Sequence, residues 1–209
     1  MELYYSPFAC SLAAHIVARE ADLEVALRRV DLTTKLVEGG GDLRAVNPMG
    51  QVPTLVTDDG HALTENSAVL SYLGDRAPDR GLTPPPASVA RYELQRWLSF
   101  VGTEVHKQGL AAVFGVDTPA AVKAHGRASL ARPLAVLDAH LATAKTLVST
   151  GFTVADAYLV WALVLVPVAG VSLDLYPAVQ AYQARQVARP AVAAALAVER
   201  AAHKQPLAS

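Results

Sequence analysis

A proline at the opening of a strand constrains this chain more than any other residue. Pro53 follows Gln51-Val52 and heads the run Thr54-Leu55-Val56-Thr57, which reaches the turn Asp58-Asp59-Gly60 and is answered by His61-Ala62-Leu63-Thr64. Proline has no N–H to give to a ladder, so it sits at a strand's start or on an edge. Two short runs about an Asp-Asp-Gly turn predict a hairpin. A cis Val52–Pro53 bond would bend the chain sharply and turn the Val52 N–H and C=O outward, unpaired, where they could hold a peptide backbone by strand addition. On the dipeptide alone an ordinary trans proline is favoured, since only about 5% of X-Pro bonds in folded proteins are cis.

The residues ahead of this proline supply the rest of a small sheet. Residues 2 to 5 predict a strand and Ser6 to Ala9 a loop. Ser11 to about Ala21 predicts an amphipathic helix, with Leu12, Ile16 and Leu23 near one face, and Val25 to Leu32 predicts a second strand. Strand-helix-strand implies a parallel pair with a right-handed crossover. Thr33 to Asn47 is polar and holds Gly39-Gly40-Gly41, which predicts irregular chain with at most one short helix near Asp42 to Ala45. After the hairpin, Asn66 or Ser67 is expected to cap a helix that carries Val69, Leu70 and Leu73 and ends before Pro78. The first 80 residues therefore read βαβ-ββα.

In that topology the loop after the first strand lies beside the bend before the third, so Cys10, at the mouth of the first helix, comes next to Val52-Pro53. The helix dipole and free N–H groups favour a thiolate there and can bring a thiol well below its usual ~8.5. The competing account of a lone cysteine is a small buried core residue.

Leu82-Thr83-Pro84-Pro85-Pro86 is the one Pro-rich stretch, and the pattern turns wholly helical after it. The domain division expected is 1–80, a linker at 81–86, and an all-helical domain over 87–209. Helices are expected near 88–115, 119–144, 154–168, 177–188 and 190–199. Ala157 to Leu173 carries no charge, yet it is shorter than the ~20 residues of a membrane span and contains Pro167 and Gly170. It reads as the buried central helix of that domain. Thr153 and Asp156 ahead of it form a capping box, a structural feature.

The 18 basic and 19 acidic residues are dispersed, with no cationic run beyond Arg28-Arg29, which sets nucleic acid aside. A single cysteine allows neither an internal disulfide nor a thiolate metal site, and no metal is expected. Without a signal-peptide pattern at the N-terminus, the expected compartment is the cytoplasm.

Leu3-Tyr4-Tyr5-Ser6-Pro7, Ala9-Cys10-Ser11-Leu12, Asn47-Pro48-Met49-Gly50-Gln51-Val52-Pro53-Thr54-Leu55, Leu63-Thr64-Glu65 and Phe152-Thr153-Val154-Ala155-Asp156-Ala157-Tyr158-Leu159 together resemble the glutathione transferases, and are most similar to the bacterial beta class. The resemblance spans essentially the whole chain. It implies a thioredoxin-like first domain, a helical-bundle second domain forming the electrophile pocket, glutathione as co-substrate, and a homodimer acting in detoxification. It puts the cysteinyl backbone of glutathione on Val52, ahead of Pro53 and after Gln51. The γ-glutamyl group falls at the start of the second helix, with Glu65 on its ammonium and Asn66 on its carboxylate; plain helix capping is the other role open to both residues. Lys35 would meet the glycine carboxylate.

On the helix from Ser88, Leu94, Leu98, Val101 and Val105 form an apolar stripe beside the polar Ser99, Thr103 and His106. The resemblance brings Ser99, Thr103, Glu104, His106 and Lys107 toward the glutathione sulfur and the neighbouring subunit's ligand. Cys10 and His106 would then hydrogen-bond the sulfur for attack on a small apolar electrophile. A mixed disulfide on Cys10, resolved by a second glutathione because Pro7 stands where a Cys-x-x-Cys motif has its other thiol, is the alternative chemistry. Tyr5, Ser6 and Ser11 are alternative sulfur donors, and a non-catalytic binding protein on the same scaffold is the remaining alternative. The chain departs from the beta class at Phe8, where glycine is usual, at Asn66 for serine and at Ser99 for asparagine. Phe8 is the departure of most consequence, because a bulky residue resists a positive φ.

Overall fold

In the computed structural model, which describes residues 1–206, the chain forms two compact units. One comprises Met1–Leu82 together with the chain from Pro190, and the other is Thr83–Arg189.

The first unit is built on a four-stranded sheet in the order β2-β1-β3-β4. β1 (Glu2–Tyr5) runs parallel to β2 (Ala26–Arg29) and antiparallel to β3 (Thr54–Val56), which pairs antiparallel with β4 (Ala62–Leu63). Alternation on β1 turns Leu3 and Tyr5 inward, and Leu3 faces Leu27 on one side and Leu55 on the other. The expected βαβ-ββα order is present. β2 is shorter than the sequence predicts, because Val30 leaves the strand to bridge Val37 and close the loop between them. A single 3₁₀ turn at Leu43–Ala45 occupies the short-helix position, capped by the Asp42 side chain, which accepts from Arg44 N–H. The Arg44 side chain beside it holds the Asp42 carboxyl down to about 2.

α1 (Ser11–Glu20) is buried at every residue from Ser11 to Ala18, well beyond one amphipathic face. β1, α2 (Asn66–Asp75) and α9 (Pro190–His203) cover it from different sides. The sequence reading assigned everything from residue 87 to the helical domain and ended this last helix at Glu199. By its packing on α1 the helix groups with the first unit, and it runs on to His203. Its buried stripe is Val192, Ala195, Leu196 and Glu199, three apolar residues and one carboxylate.

The second unit is helical throughout. α3 (Val89–Phe100) continues without a break through Val101–Leu110, which is wound as a π-helix, into α4 (Ala111–Phe114). The Ala111 N–H closes this segment on the His106 carbonyl, five residues back. The single helix expected over 119–144 is two, α5 (Ala120–Ser129) and α6 (Ala131–Leu141). Pro133 explains the break: it lacks an N–H and its ring clashes with the carbonyl four residues earlier, that of Ser129. α7 (Val154–Val168) is buried continuously from Val154 to Leu163, and α8 (Pro177–Val187) follows. Among the described residues no helix is long and apolar enough to cross a membrane.

The crossing of α5 over the π-helical segment depends on two glycines. A Cβ on Gly126 would lie 2.8 Å from the Ala112 Cβ and 2.9 Å from the Gly109 carbonyl oxygen, while one on Gly109 would run into the Leu130 side chain. In an unobstructed helix Gly→Ala stabilises by about 1 kcal/mol. Here overpacking against backbone, worth ~1–3 kcal/mol, reverses the sign. Gly126→Ala is expected to lower the melting temperature; an unchanged or higher one would show that the helices separate freely.

Candidate functional site

The loop Ser6–Cys10 folds as consecutive turns that deliver the chain into α1. Ala9 N–H donates to Ser6 O at 3.0 Å and Leu12 N–H to Ala9 O at 2.9 Å. Ser11 is fully buried, and its hydroxyl is tied to the Ser6 backbone, accepting from Ser6 N–H at 3.3 Å and donating to Ser6 O at 3.4 Å. Ser11 is therefore committed to loop structure and is not the sulfur donor it was offered as. Tyr5 is buried, and burial pushes its hydroxyl above the ordinary value, with the Glu199 charge adding in the same direction.

Cys10 sits at the N-cap of α1, half-buried, and the Val52–Pro53 bond is cis. The two meet directly: Cys10 Sγ–H donates to Val52 O at 3.2 Å. The Val52 carbonyl is thus partnered, where the sequence reading left it unpaired, and the contact is one that only the protonated thiol makes. Val52 N–H meets no acceptor among the described residues. Asn47 holds the bend from beneath. It is 4% exposed, and its Nδ2 donates to Gln51 O at 2.9 Å and to Thr54 Oγ1 at 3.0 Å. The Gln51 side chain itself is exposed.

The start of α2 closes the same corner. The cap is Glu65, at φ 65 with no side-chain cap bond, and Asn66 lies inside the first turn. Asn66 is buried and points back across the sheet end, its Nδ2 donating to Cys10 O at 3.2 Å. Its Oδ1 is buried without a partner among the described residues. Neither residue serves as the side-chain cap expected of them, so the helix start keeps open N–H donors and Glu65 an exposed carboxylate. Lys35 stands half-buried at φ 71, its stem against Gly50, where an added Cβ would come within 3.2 Å of it. The structure thus brings Cys10 into contact with both Asn66 and Val52, the latter next to Pro53 in sequence, and sets Gln51, Lys35 and Glu65 at exposed or half-buried positions of the same unit.

Phe8 does adopt the left-handed conformation that a bulky residue resists, at φ 61. Its N–H donates at 2.7 Å to Glu199 Oε2, and its ring meets His203 edge-on at 5.6 Å. Glu199 is fully buried, and its Oε1 lies 3.1 Å from His15 Nδ1. Arg19 Nε–H donates to His15 Nε2 at 3.0 Å, so Nε2 is the acceptor nitrogen and Nδ1 carries the proton given to Glu199. Burial pushes the Glu199 carboxyl up, while the His15 and Phe8 hydrogen bonds pull it down. The sequence reading missed His15, Arg19 and Glu199. The signal was a charged residue on the apolar stripe of α9 facing a histidine on that of α1.

In the second unit the expected residues separate into two groups. Ser99 and Thr103 are exposed, and the Thr103 hydroxyl lies 3.1 Å from Ser99 O and 2.9 Å from Glu104 Oε1. His106 turns inward, its Nδ1 2.7 Å from the Tyr158 hydroxyl and its ring against Trp161 at 4.6 Å. Burial, and secondarily the Lys107 charge, hold His106 down to about 4. It is therefore neutral at neutral pH, and its contribution to stability is complete above about 6.5 and lost as pH falls toward about 4. Tyr158 and Trp161 were not singled out from the sequence. Among the described residues, no group of three or more His, Cys, Asp or Glu side chains is arranged to hold a metal ion.

The comparisons with known proteins bear on both units. The glutathione S-transferase N-terminal domain family matches residues 5–76, and the glutathione S-transferase C-terminal domain family matches residues 88–190. Glutathione S-transferase GstA of Escherichia coli O157:H7 is 41% identical over 199 residues, covering 95% of this chain and 98% of that protein. A sphingomonad glutathione S-transferase solved in complex with glutathione has a TM-score of 0.91 at 42% identity, over 95% of this chain and 98% of that one. A bacterial beta class enzyme from Sphingomonas chungbukensis has a TM-score of 0.92 at 39% identity and the same coverage. Family matches over both units, with 41% identity along nearly the whole length of a relative, show that the chain belongs to the glutathione S-transferase family.

Proposed function

We propose that the protein binds glutathione on its first unit and couples the glutathione sulfur to small apolar electrophiles. One observation carries the reading: Cys10 Sγ lies 3.2 Å from Val52 O, beside a Val52 N–H and a buried Asn66 Oδ1 that have no partner among the described residues. A tripeptide with two carboxylates, an ammonium and an amide backbone answers those unmet groups. Val52 N–H and the second lone pair of Val52 O would hold the cysteinyl backbone, with Gln51 and Pro53 flanking it. The open N–H donors of α2 and the second Nδ2–H of Asn66 would take the γ-glutamyl carboxylate, Glu65 and Asn66 Oδ1 its ammonium, and Lys35 the glycine carboxylate. Glutathione, when bound, supplies the thiolate nucleophile. Cys10 would then turn its S–H from Val52 O toward the ligand sulfur.

From the helical unit we assign His106 as a second sulfur donor and Ser99, Thr103, Glu104 and Lys107 as polar neighbours of the ligand. A cytoplasmic homodimer acting in detoxification belongs to the same reading, and sedimentation at micromolar concentration tests its dimer.

Retention on immobilised glutathione and a rise in melting temperature at millimolar glutathione are the expected results; absence of both would sink the reading. Cys10→Ala separates the chemistries. Loss of one weak sulfur hydrogen bond should lower kcat/KM for conjugation by about fivefold to tenfold. Loss beyond about a thousandfold would assign Cys10 a covalent role instead.

A further inference from the structure

Two aromatic side chains of α7 enclose one imidazole in the helical unit. His106 Nδ1 lies 2.7 Å from the Tyr158 hydroxyl, the His106 and Trp161 rings cross at 72° with centroids 4.6 Å apart, and Tyr158 stacks on Trp161 at 29°. Tyr158 and Trp161 are each 3% exposed, so the hydroxyl meets the imidazole away from bulk solvent. The imidazole is presented from the π-helical segment, a winding found frequently at functional sites.

We propose that Tyr158 is a positioning residue: its O–H donates to His106 Nδ1 and so fixes the imidazole proton on Nε2, making His106 a permanent hydrogen-bond donor rather than a base. A neutral imidazole has one donor and one acceptor nitrogen, and the partner of one decides the role of the other. The phenol O–H is the more acidic of the two donors and the imidazole nitrogen the more basic acceptor. The pair therefore orders itself O–H to N. Burial keeps the ring neutral through the physiological range, and Lys107 acts from the same segment in the same direction. Of the elements packed on that segment, α7 presents the Tyr158 hydroxyl and the Trp161 indole to the ring. What remains is an Nε2–H that does not change with pH above about 5. Its ligand is an electron-rich atom that accepts without being protonated, such as a thiolate. This last step rests on the role proposed above for His106.

The test begins with the free protein. Long-range 1H–15N spectra of ¹⁵N-histidine-labelled protein should show His106 with Nδ1 unprotonated and Nε2 protonated from about pH 5 to about pH 9. In Tyr158→Phe the two nitrogens should move toward averaged shifts. Conjugation by that variant should lose about tenfold in kcat with KM for glutathione changed less than twofold, as when one transition-state hydrogen bond is weakened. An Nδ1-protonated ring in the wild-type protein, or an unchanged pattern in Tyr158→Phe, overturns the proposal. The wild-type spectrum decides it even if the variant does not fold. A locked tautomer in a protein that does not bind glutathione would leave this inference standing and remove the functional reading.

Discussion

Asp156→Ala is expected to destabilise the protein by about 4 kcal/mol or more, because it strands four buried donors at once. The Asp156 side chain is fully buried. Its Oδ1 accepts from Leu147 N–H at 2.9 Å and from the Tyr182 hydroxyl at 2.8 Å. Its Oδ2 accepts from Thr153 N–H at 2.9 Å and from the Thr153 hydroxyl at 2.8 Å. A carboxylate has about four acceptor positions, and here each has a donor. Burial pushes this carboxyl up, and the four hydrogen bonds pull it down.

Each stranded donor costs roughly 1–3 kcal/mol, and the lost helix cap about 1 kcal/mol more. These costs overlap, so they do not simply add. A loss of this size would take much of the ~5–15 kcal/mol that holds a typical protein folded. In a chain of this length it corresponds to a fall in melting temperature of about 10 °C. Asp156→Asn is expected to be nearly as harmful, since its amide nitrogen would face two donors. Thermal and urea unfolding are the measurements. A variant melting within about 2 °C of the parent would show that water replaces the carboxylate.

Glu199→Ala comes second in size and differs in kind, since it should affect activity as well as stability. Removing this carboxylate takes from Phe8 N–H and His15 Nδ1–H the acceptor they share in a largely buried site, a cost of about 2–4 kcal/mol. Phe8 is held at a φ that disfavours it by ~1 kcal/mol or more, so the loop should relax once its anchor is gone. Cys10 lies two residues on, and the expected result is a conjugation rate lowered at temperatures where the fold is intact. Glu199→Gln keeps one oxygen and can serve only one of the two donors, so it should fall between the parent and Glu199→Ala. Activity and melting temperature measured together decide the matter. Full activity at reduced stability would confine Glu199 to holding the fold.

The parts of this protein legible in its sequence are those governed by local rules. The strand at residues 2 to 5, the hairpin about Asp58-Asp59-Gly60 and the Thr153–Asp156 box each depend on neighbours a few residues away, and each is present in the structure. Pro53 and Cys10 could be paired because the βαβ-ββα order itself brings their loops together. Long-range partners were less legible. His15 and Glu199 are 184 positions apart, and nothing local says that one answers the other. The inward turn of Asn66 and the use of the Val52 carbonyl by Cys10 depend on rotamers, which a residue's type does not fix. The π winding of Val101–Leu110 escaped because a 3.6-residue stripe and a slightly wider one place Leu94, Leu98, Val101 and Val105 alike. Pro133 was a readable break between α5 and α6, and the apolar pattern running through it obscured it.

The return of α9 to the first unit also sets an order of events during synthesis. A ribosome adding about 5–20 residues per second has made Tyr5 to Leu82 long before it reaches Glu199. His15 therefore waits roughly 10–40 s for its acceptor, and throughout that time Phe8 has nothing to hold its N–H from α9. The earlier segment of the first unit is completed by a helix translated more than a hundred residues later. For that interval the nascent first unit carries α1 with the face that α9 will cover still exposed.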